Sequence, residues 1–123
     1  METLIKIPDI ENGRFIYVKP SDITYIVTEE HMAKLERRGY EKRDACFTHI
    51  FLRDGRTYFA YRRIDYWANL LNYYGFFSPR ASHLINSGYV IKTKTVYGLE
   101  LIIYFRNGKT IRVPMINKNN CDA

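Results

Sequence analysis

The side chains best suited to chemistry cluster in the segment Phe76–Asn86, where they are Arg80, Ser82, His83 and Asn86. They offer a cation, a hydroxyl, an imidazole and an amide. Nowhere in the sequence does the pattern place a nucleophile beside a base and a third group that orients the base. The sequence therefore indicates binding chemistry, and we expect no enzymatic activity.

Three of these side chains also have a plain structural interpretation. Arg80 fits a solvated surface charge in a loop that contains a proline. His83 fits a packed or half-exposed residue, and Asn86 fits a turn residue that hydrogen-bonds backbone. Both interpretations stay open from the residues alone.

Cofactor and metal chemistry have little support in the sequence. Cys46 and Cys121 are far apart and fit two free thiols in a reducing compartment. A zinc site needs more convergent cysteine and histidine than this. The glycines are isolated turn residues, so no glycine-rich phosphate loop is present. We expect neither a metal nor a cofactor.

The distribution of charge is uneven. The chain of 123 residues carries a formal net charge of +6. Residues 1–30 are net acidic, whereas residues 76–118 hold seven basic residues and a single acid, Glu100. Such a distribution suits a polyanionic partner, because each neutralised phosphate releases counterions. The alternative is a charge that serves solubility alone.

The chain shows no targeting or membrane segment. No apolar run approaches the roughly 20 residues of a membrane helix, and the start, Met-Glu-Thr-Leu-Ile-Lys, lacks the pattern of a signal peptide. We expect a cytoplasmic protein with one domain over residues 1–118 and a polar tail over residues 119–123.

Alternating residues and turn pairs predict a β-rich fold. The turn pairs are Asn12-Gly13, Asp54-Gly55, Tyr97-Gly98 and Asn107-Gly108. The predicted strands are Leu4–Ile7, Phe15–Val18, Ser21–Val27, Phe47–Leu52, Thr57–Tyr61, Tyr89–Thr95, Leu99–Phe105 and Thr110–Val113, the last ended by Pro114. Residues 32–44 fit either an extended hairpin or a short helix.

One helix is predicted over Arg63–Tyr74, with Gly75 as the residue that stops it. Its apolar residues recur with helical spacing, at Ile64, Trp67, Leu70, Leu71 and Tyr74. The expected fold class is therefore mainly β (α+β), with eight or nine strands in small sheets and hairpins around one main helix.

The order of these elements resembles the LytTR family of bacterial DNA-binding domains over about residues 3–118. The family signature reads roughly Phe-Phe-x-x-His-Arg-Ser-Tyr-Leu-Val-Asn, and Phe76–Asn86 is similar to it. Ser21–Ile26 resembles the family's Asp-Ile-x-Tyr-Ile strand. Leu52–Gly55 and Phe105–Gly108 resemble its hairpin turns, and Tyr66–Leu71 its helix.

The resemblance implies a transcription regulator that binds duplex DNA through three segments. These are the neighbourhood of His31, the segment Ser78–Ser82 and the segment Pro114–Lys118. Arg80 can then fork onto guanine O6 and N7 or hold a phosphate, and His31 can reach a base edge. The expected phosphate contacts are Ser82, Lys109, Arg112 and Lys118, and Asn117 is a further expected DNA-binding residue.

The chain also departs from the family pattern. Ala81 stands where the family often has Arg or Asn, and Pro114-Met115 stands where it commonly has Ser-Arg. We expect no N-terminal receiver of the kind usual in the family, because the first 20 residues are predicted to form part of the domain, and we expect control to rest on abundance, a partner protein or dimerisation on repeated sites. The alternatives are a protein-interaction module on the same fold and a non-specific nucleic-acid binder.

Overall fold

The computed structural model of the protein describes residues 3–28 and 47–115. Within these ranges the chain forms ten strands and one α-helix, α1 (Ile64–Leu71). The strands are β1 (Ile5–Asp9), β2 (Arg14–Val18), β3 (Ile23–Thr28), β4 (Phe47–Leu52), β5 (Thr57–Tyr61), β6 (Phe76–Arg80), β7 (His83–Asn86), β8 (Val90–Val96), β9 (Glu100–Phe105) and β10 (Thr110–Pro114). The mainly-β class with one main helix is confirmed.

The residues up to Asn86 form one compact unit, and those from Ser87 onward form a second. The first unit holds a seven-stranded sheet in the order β2-β1-β5-β4-β3-β7-β6, with antiparallel pairing throughout. Hairpins at sequence-adjacent strands make most of these pairs. The β1–β5 and β3–β7 pairs join strands that are distant in the sequence, and the second of them places the β6–β7 hairpin beside β3 with β6 at the edge of the sheet.

The middle of this sheet is buried on both faces. All six residues of β3 are buried, so the alternation around Ile23, Tyr25 and Val27 does not leave one face of the strand exposed to solvent. On one face Ile26 and Ile50 pack into the core with Trp67. The other face carries stacked aromatic rings, among them Tyr25 and Phe51 with ring centroids 4.4 Å apart. A strand packed on both sides uses nearly every side chain as core.

The helix anchors on Trp67, which is fully buried with Leu71. Its indole Nε1 donates a 2.8 Å hydrogen bond to Thr48 Oγ1, and the Thr48 hydroxyl donates to the carbonyl of Arg62 at 3.0 Å. Thus the one buried indole N–H is satisfied, as a buried donor must be.

The helix predicted from the sequence is longer than the α-helix in the structure, and its predicted apolar face is wider than the buried face that the structure shows. The α-helix ends at Leu71, and a 3-10 turn over Asn72–Tyr74 follows before Gly75 takes a left-handed φ of 82°. A 3-10 turn has 3.0 residues per turn, so Tyr74 falls out of phase with Trp67. Leu70 and Tyr74 are both exposed and are not core residues.

The second unit is a three-stranded antiparallel sheet in the order β10-β9-β8. Tyr97 and Gly98 turn β8 into β9 with φ values of 53° and 70°. Pro114 is the last residue of β10, as predicted, and it sits on an edge strand where its missing N–H is tolerated.

Among the described residues, none of the helices is both long and apolar enough to cross a membrane.

Candidate functional site

The segment Phe76–Asn86 is a hairpin at the edge of the large sheet. The expectation of a loop at Ser78–Ser82 is wrong in part, because β6 runs through Pro79 to Arg80 and only Ala81 and Ser82 form the turn. Arg80 pairs with His83 across this turn. The half-buried Arg80 therefore stands at the end of a strand, which fixes its backbone better than a loop would.

A bulge explains how a strand accommodates Pro79. The register between β6 and β7 shifts between Phe77 and Arg80. Ser78 Oγ lies 2.8 Å from the Arg80 carbonyl oxygen and 2.7 Å from that of His83, so its hydroxyl donates to one of these acceptors. Proline is found at bulges and on edge strands because it cannot donate to a ladder, and β6 is the last strand of the sheet.

Ser82 is tied into the fold by two contacts. Its Oγ lies 2.8 Å from Nδ1 of His83, and its carbonyl accepts a 3.0 Å hydrogen bond from the amide of Thr28. The first contact leaves the Ser82 hydroxyl as donor or acceptor according to the tautomer of the imidazole. The second holds the turn beside the last residue of β3.

His83 and Asn86 are structural residues. His83 is buried, in agreement with the interpretation as a packed residue. Asn86 Nδ2 donates a 2.8 Å hydrogen bond to the carbonyl of Ile23, which confirms a backbone contact but in a strand and not in a turn. This buried bond joins the end of β7 to the start of β3.

Lys109 and Arg112 lie on the β9–β10 hairpin of the second unit. Lys109 is exposed next to the turn, where its amide donates to Asn107 Oδ1 at 2.9 Å. Arg112 is exposed too, but its Nη1 lies 2.8 Å from Glu100 Oε1. The ion pair offsets part of the charge that Arg112 presents to a partner.

Two of the positions that depart from the family pattern, Ala81 and Met115, are accessible. Ala81 is exposed at the tip of the β6–β7 turn, and Met115 is exposed after β10. The Met115 amide donates a 2.8 Å hydrogen bond to the carbonyl of Leu99, so the end of this hairpin is held in place. Neither side chain can donate a hydrogen bond.

Three of the predicted contact residues, His31, Asn117 and Lys118, lie outside the described residues, as does the segment 32–44. The described ranges contain no group of three or more His, Cys, Asp and Glu side chains that could hold a metal ion.

Two further cations were not singled out from the sequence, although their spacing was visible. Lys92 and Lys94 alternate along β8, and both are exposed. Residues two apart on a strand point to the same face, so the pattern Lys-Thr-Lys within a predicted strand places both cations on one side of the sheet.

A comparison with solved structures identifies the fold. The structure matches the LytTr DNA-binding domain of a Bacillus cereus protein described as a methyl-accepting/DNA response regulator, with a TM-score of 0.66. The match has 14% sequence identity and covers 94% of this chain and 89% of that chain. The chain therefore has a LytTR-type fold, as its sequence resemblance implied. No protein-family model and no curated protein matches the sequence.

Proposed function

We propose that this protein binds duplex DNA with sequence preference and acts as a LytTR-like transcription regulator in the cytoplasm. The observation that carries the proposal is the fold, which is shared over nearly the whole chain with a LytTr DNA-binding domain. The excess of basic over acidic residues, a net charge of +6, supports a polyanionic partner.

Arg80 is the proposed base-reading residue of the described part of the chain. Its position at the end of β6, across from His83, gives the guanidinium a rigid base. A guanidinium presents a planar fork of donors that matches guanine O6 and N7 in the major groove. His31 is proposed as a second reader. It follows the end of β3 by three residues in the sequence, and Thr28 at that end is bonded to the β6–β7 turn.

Phosphate contacts are proposed for Ser82, Lys109 and Arg112, and for Asn117 and Lys118. The Ser82 hydroxyl can donate to a phosphate when His83 carries its proton on Nδ1, since the imidazole then donates to Oγ. Lys109 offers an exposed ammonium beside a tight turn. Such contacts fix orientation on the duplex and do not read sequence.

The test is selection from a random duplex library at about 150 mM salt, followed by sequencing of the retained pool. The proposal predicts one enriched motif, and a direct repeat about one helical turn apart would indicate a dimer on repeated half-sites. Retention without enrichment would show a backbone binder and would overturn sequence-specific recognition.

A protein-interaction module on the same fold is the second candidate. The observation that favours it is a cluster of exposed apolar side chains on the β1–β2 hairpin, Leu4, Phe15 and Tyr17, together with the missing donors at Ala81 and Met115. β2 is also an edge strand. No retention of duplex at about 150 mM salt, with salt-independent affinity for a partner protein, would select this function.

A further inference from the structure

One face of the three-stranded sheet carries positive charge in a fixed register. Residues that face each other across an antiparallel pair point to the same side. Lys92 is opposite Tyr104, Lys94 is opposite Ile102, and Ile102 is opposite Arg112. The two lysines and Arg112 therefore share one face, which we call the β8–β10 face.

This face is turned to solvent. Lys92, Lys94, Thr110 and Arg112 are all exposed, whereas Ile103, Phe105 and Val113 on the opposite face are buried. The alternation of exposed and buried side chains is clear on β10, whereas β8 is exposed on both faces over Ile91–Thr95.

Neighbouring side chains on this face help to position its cations. Lys92 Nζ lies 4.9 Å from the centroid of the Tyr104 ring, a cation–π distance that keeps the ammonium over the sheet. Ile102 is buried and lies opposite both Lys94 and Arg112 on the same face, where the stems of long cationic side chains can cover apolar surface. The cations lose less conformational freedom on binding when they are already positioned.

Most arginines in the described residues, Arg112 of this face included, form an ion pair within the fold. Carboxylates pair with five arginines, namely Arg14, Arg53, Arg56, Arg63 and Arg112. Within the same ranges Lys92 and Lys94 form no ion pair, and the contact of Lys92 with Tyr104 leaves its charge intact. The β8 lysines thus present positive charge without an internal counterion.

We infer that the β8–β10 face binds the phosphate backbone of duplex DNA, with Lys92 and Lys94 as its principal contacts. Successive cations on one side of a strand are about 7 Å apart, which lets each bind a separate phosphate. The inference rests on the proposed function and adds a phosphate-binding surface separate from the base-reading hairpin at Arg80.

The test is the salt dependence of duplex binding by the double variant K92Q/K94Q. Loss of two phosphate contacts flattens the slope of log K against log salt by about 1.8. Between 50 and 200 mM salt, the affinity of the parent protein should then fall about 12-fold more than that of the variant. Selected and scrambled duplexes should show the same change, since phosphate contacts carry no sequence information.

The matched control is K6Q/K19Q, which removes the same two charges from exposed positions around the β1–β2 hairpin. The inference predicts a parental slope for this control. Equal slopes for K92Q/K94Q and the parent, or equal flattening in both double variants, would overturn it. Thermal unfolding of each variant confirms that the fold is intact.

The two proposals fail in different ways. A parent protein that binds duplexes without sequence preference defeats the proposed regulator, yet the slopes still decide whether the β8–β10 face is used. A parent that binds no duplex even at 50 mM salt overturns both.

Discussion

The amide of Thr28 donates a 3.0 Å hydrogen bond to the carbonyl of Ser82. This bond joins the last residue of β3 to the turn that carries Ala81 and follows Arg80. The family resemblance implicates two segments here, the neighbourhood of His31 and Ser78–Ser82. The end of β3, which the first segment follows in the sequence, and the β6–β7 turn in the second therefore lie at the same end of the sheet. The β4–β5 turn with Arg53 lies at the opposite end, because Leu52 pairs with the first residue of β3, Ile23.

Arg80→Ala should reduce binding to the selected duplex by about 1–3 kcal/mol, roughly 5- to 150-fold, with a smaller loss on a scrambled duplex. The reason is the loss of a forked contact to a base edge. Fluorescence anisotropy with both duplexes measures the two affinities.

Arg53→Ala is the matched control for this variant. It removes the same group from the far end of the sheet, where Arg53 Nε lies 3.0 Å from Asp22 Oδ1. An exposed ion pair of this kind contributes little stability. If Arg80→Ala binds with the affinity and preference of Arg53→Ala, Arg80 does not read a base.

Lys109→Gln should weaken binding to selected and scrambled duplexes equally. It removes one exposed ammonium beside the β9–β10 turn, so the salt slope should flatten by about 0.9. Titrations at several salt concentrations give the slope. A change in sequence preference would show that Lys109 reads bases and does not act on phosphate alone.

Glu100→Gln should strengthen DNA binding at low salt. The Glu100 carboxylate pairs with Arg112 at 2.8 Å. The variant removes a negative charge that repels phosphate, and it frees the Arg112 guanidinium from its ion pair. Arg112 is the phosphate contact that this change strengthens, so Arg112→Gln in the Glu100→Gln background should flatten the salt slope by about 0.9 relative to Glu100→Gln alone. Equal slopes for Glu100→Gln and the double variant would show that Arg112 does not contact phosphate.

Thr48→Val should destabilise the fold without changing the DNA preference of the folded protein. It leaves the Trp67 indole N–H and the Arg62 carbonyl without the Thr48 hydroxyl. A buried polar group that loses its partner costs about 1–3 kcal/mol. Denaturant unfolding measures the loss, and Thr57→Val on the exposed part of β5 is the control. Equal stability of the two variants would contradict the role of Thr48.

The hairpins could be predicted because their signals are local. Asp54-Gly55 and Asn107-Gly108 sit between runs of alternating residues, and glycine supplies the positive φ in both turns. The strand β6 could not be predicted from the sequence, since Ser78 and Pro79 are typical of loops. Only the bulge and the edge position, both properties of the whole sheet, make a strand possible there.

The candidate site shows the same contrast between features that local sequence signals and features that depend on distant contacts. Arg80 and Ser82 are visible in the signature segment, but the bond from Thr28 to Ser82 depends on β3 pairing with β7, a contact between distant parts of the chain. The ion pair of Arg112 with Glu100 depends in turn on the register of the β9–β10 hairpin. Turn residues indicate where a hairpin lies, and they leave the pairing of individual side chains open.

The central claim is sequence-specific recognition, and the most direct measurement is the ratio of affinities for a selected duplex and its scrambled counterpart at about 150 mM salt. Specific DNA-binding proteins typically bind their sites at least about 10³-fold more tightly than other sequences, and we predict a ratio of that order. A ratio near one would contradict the claim.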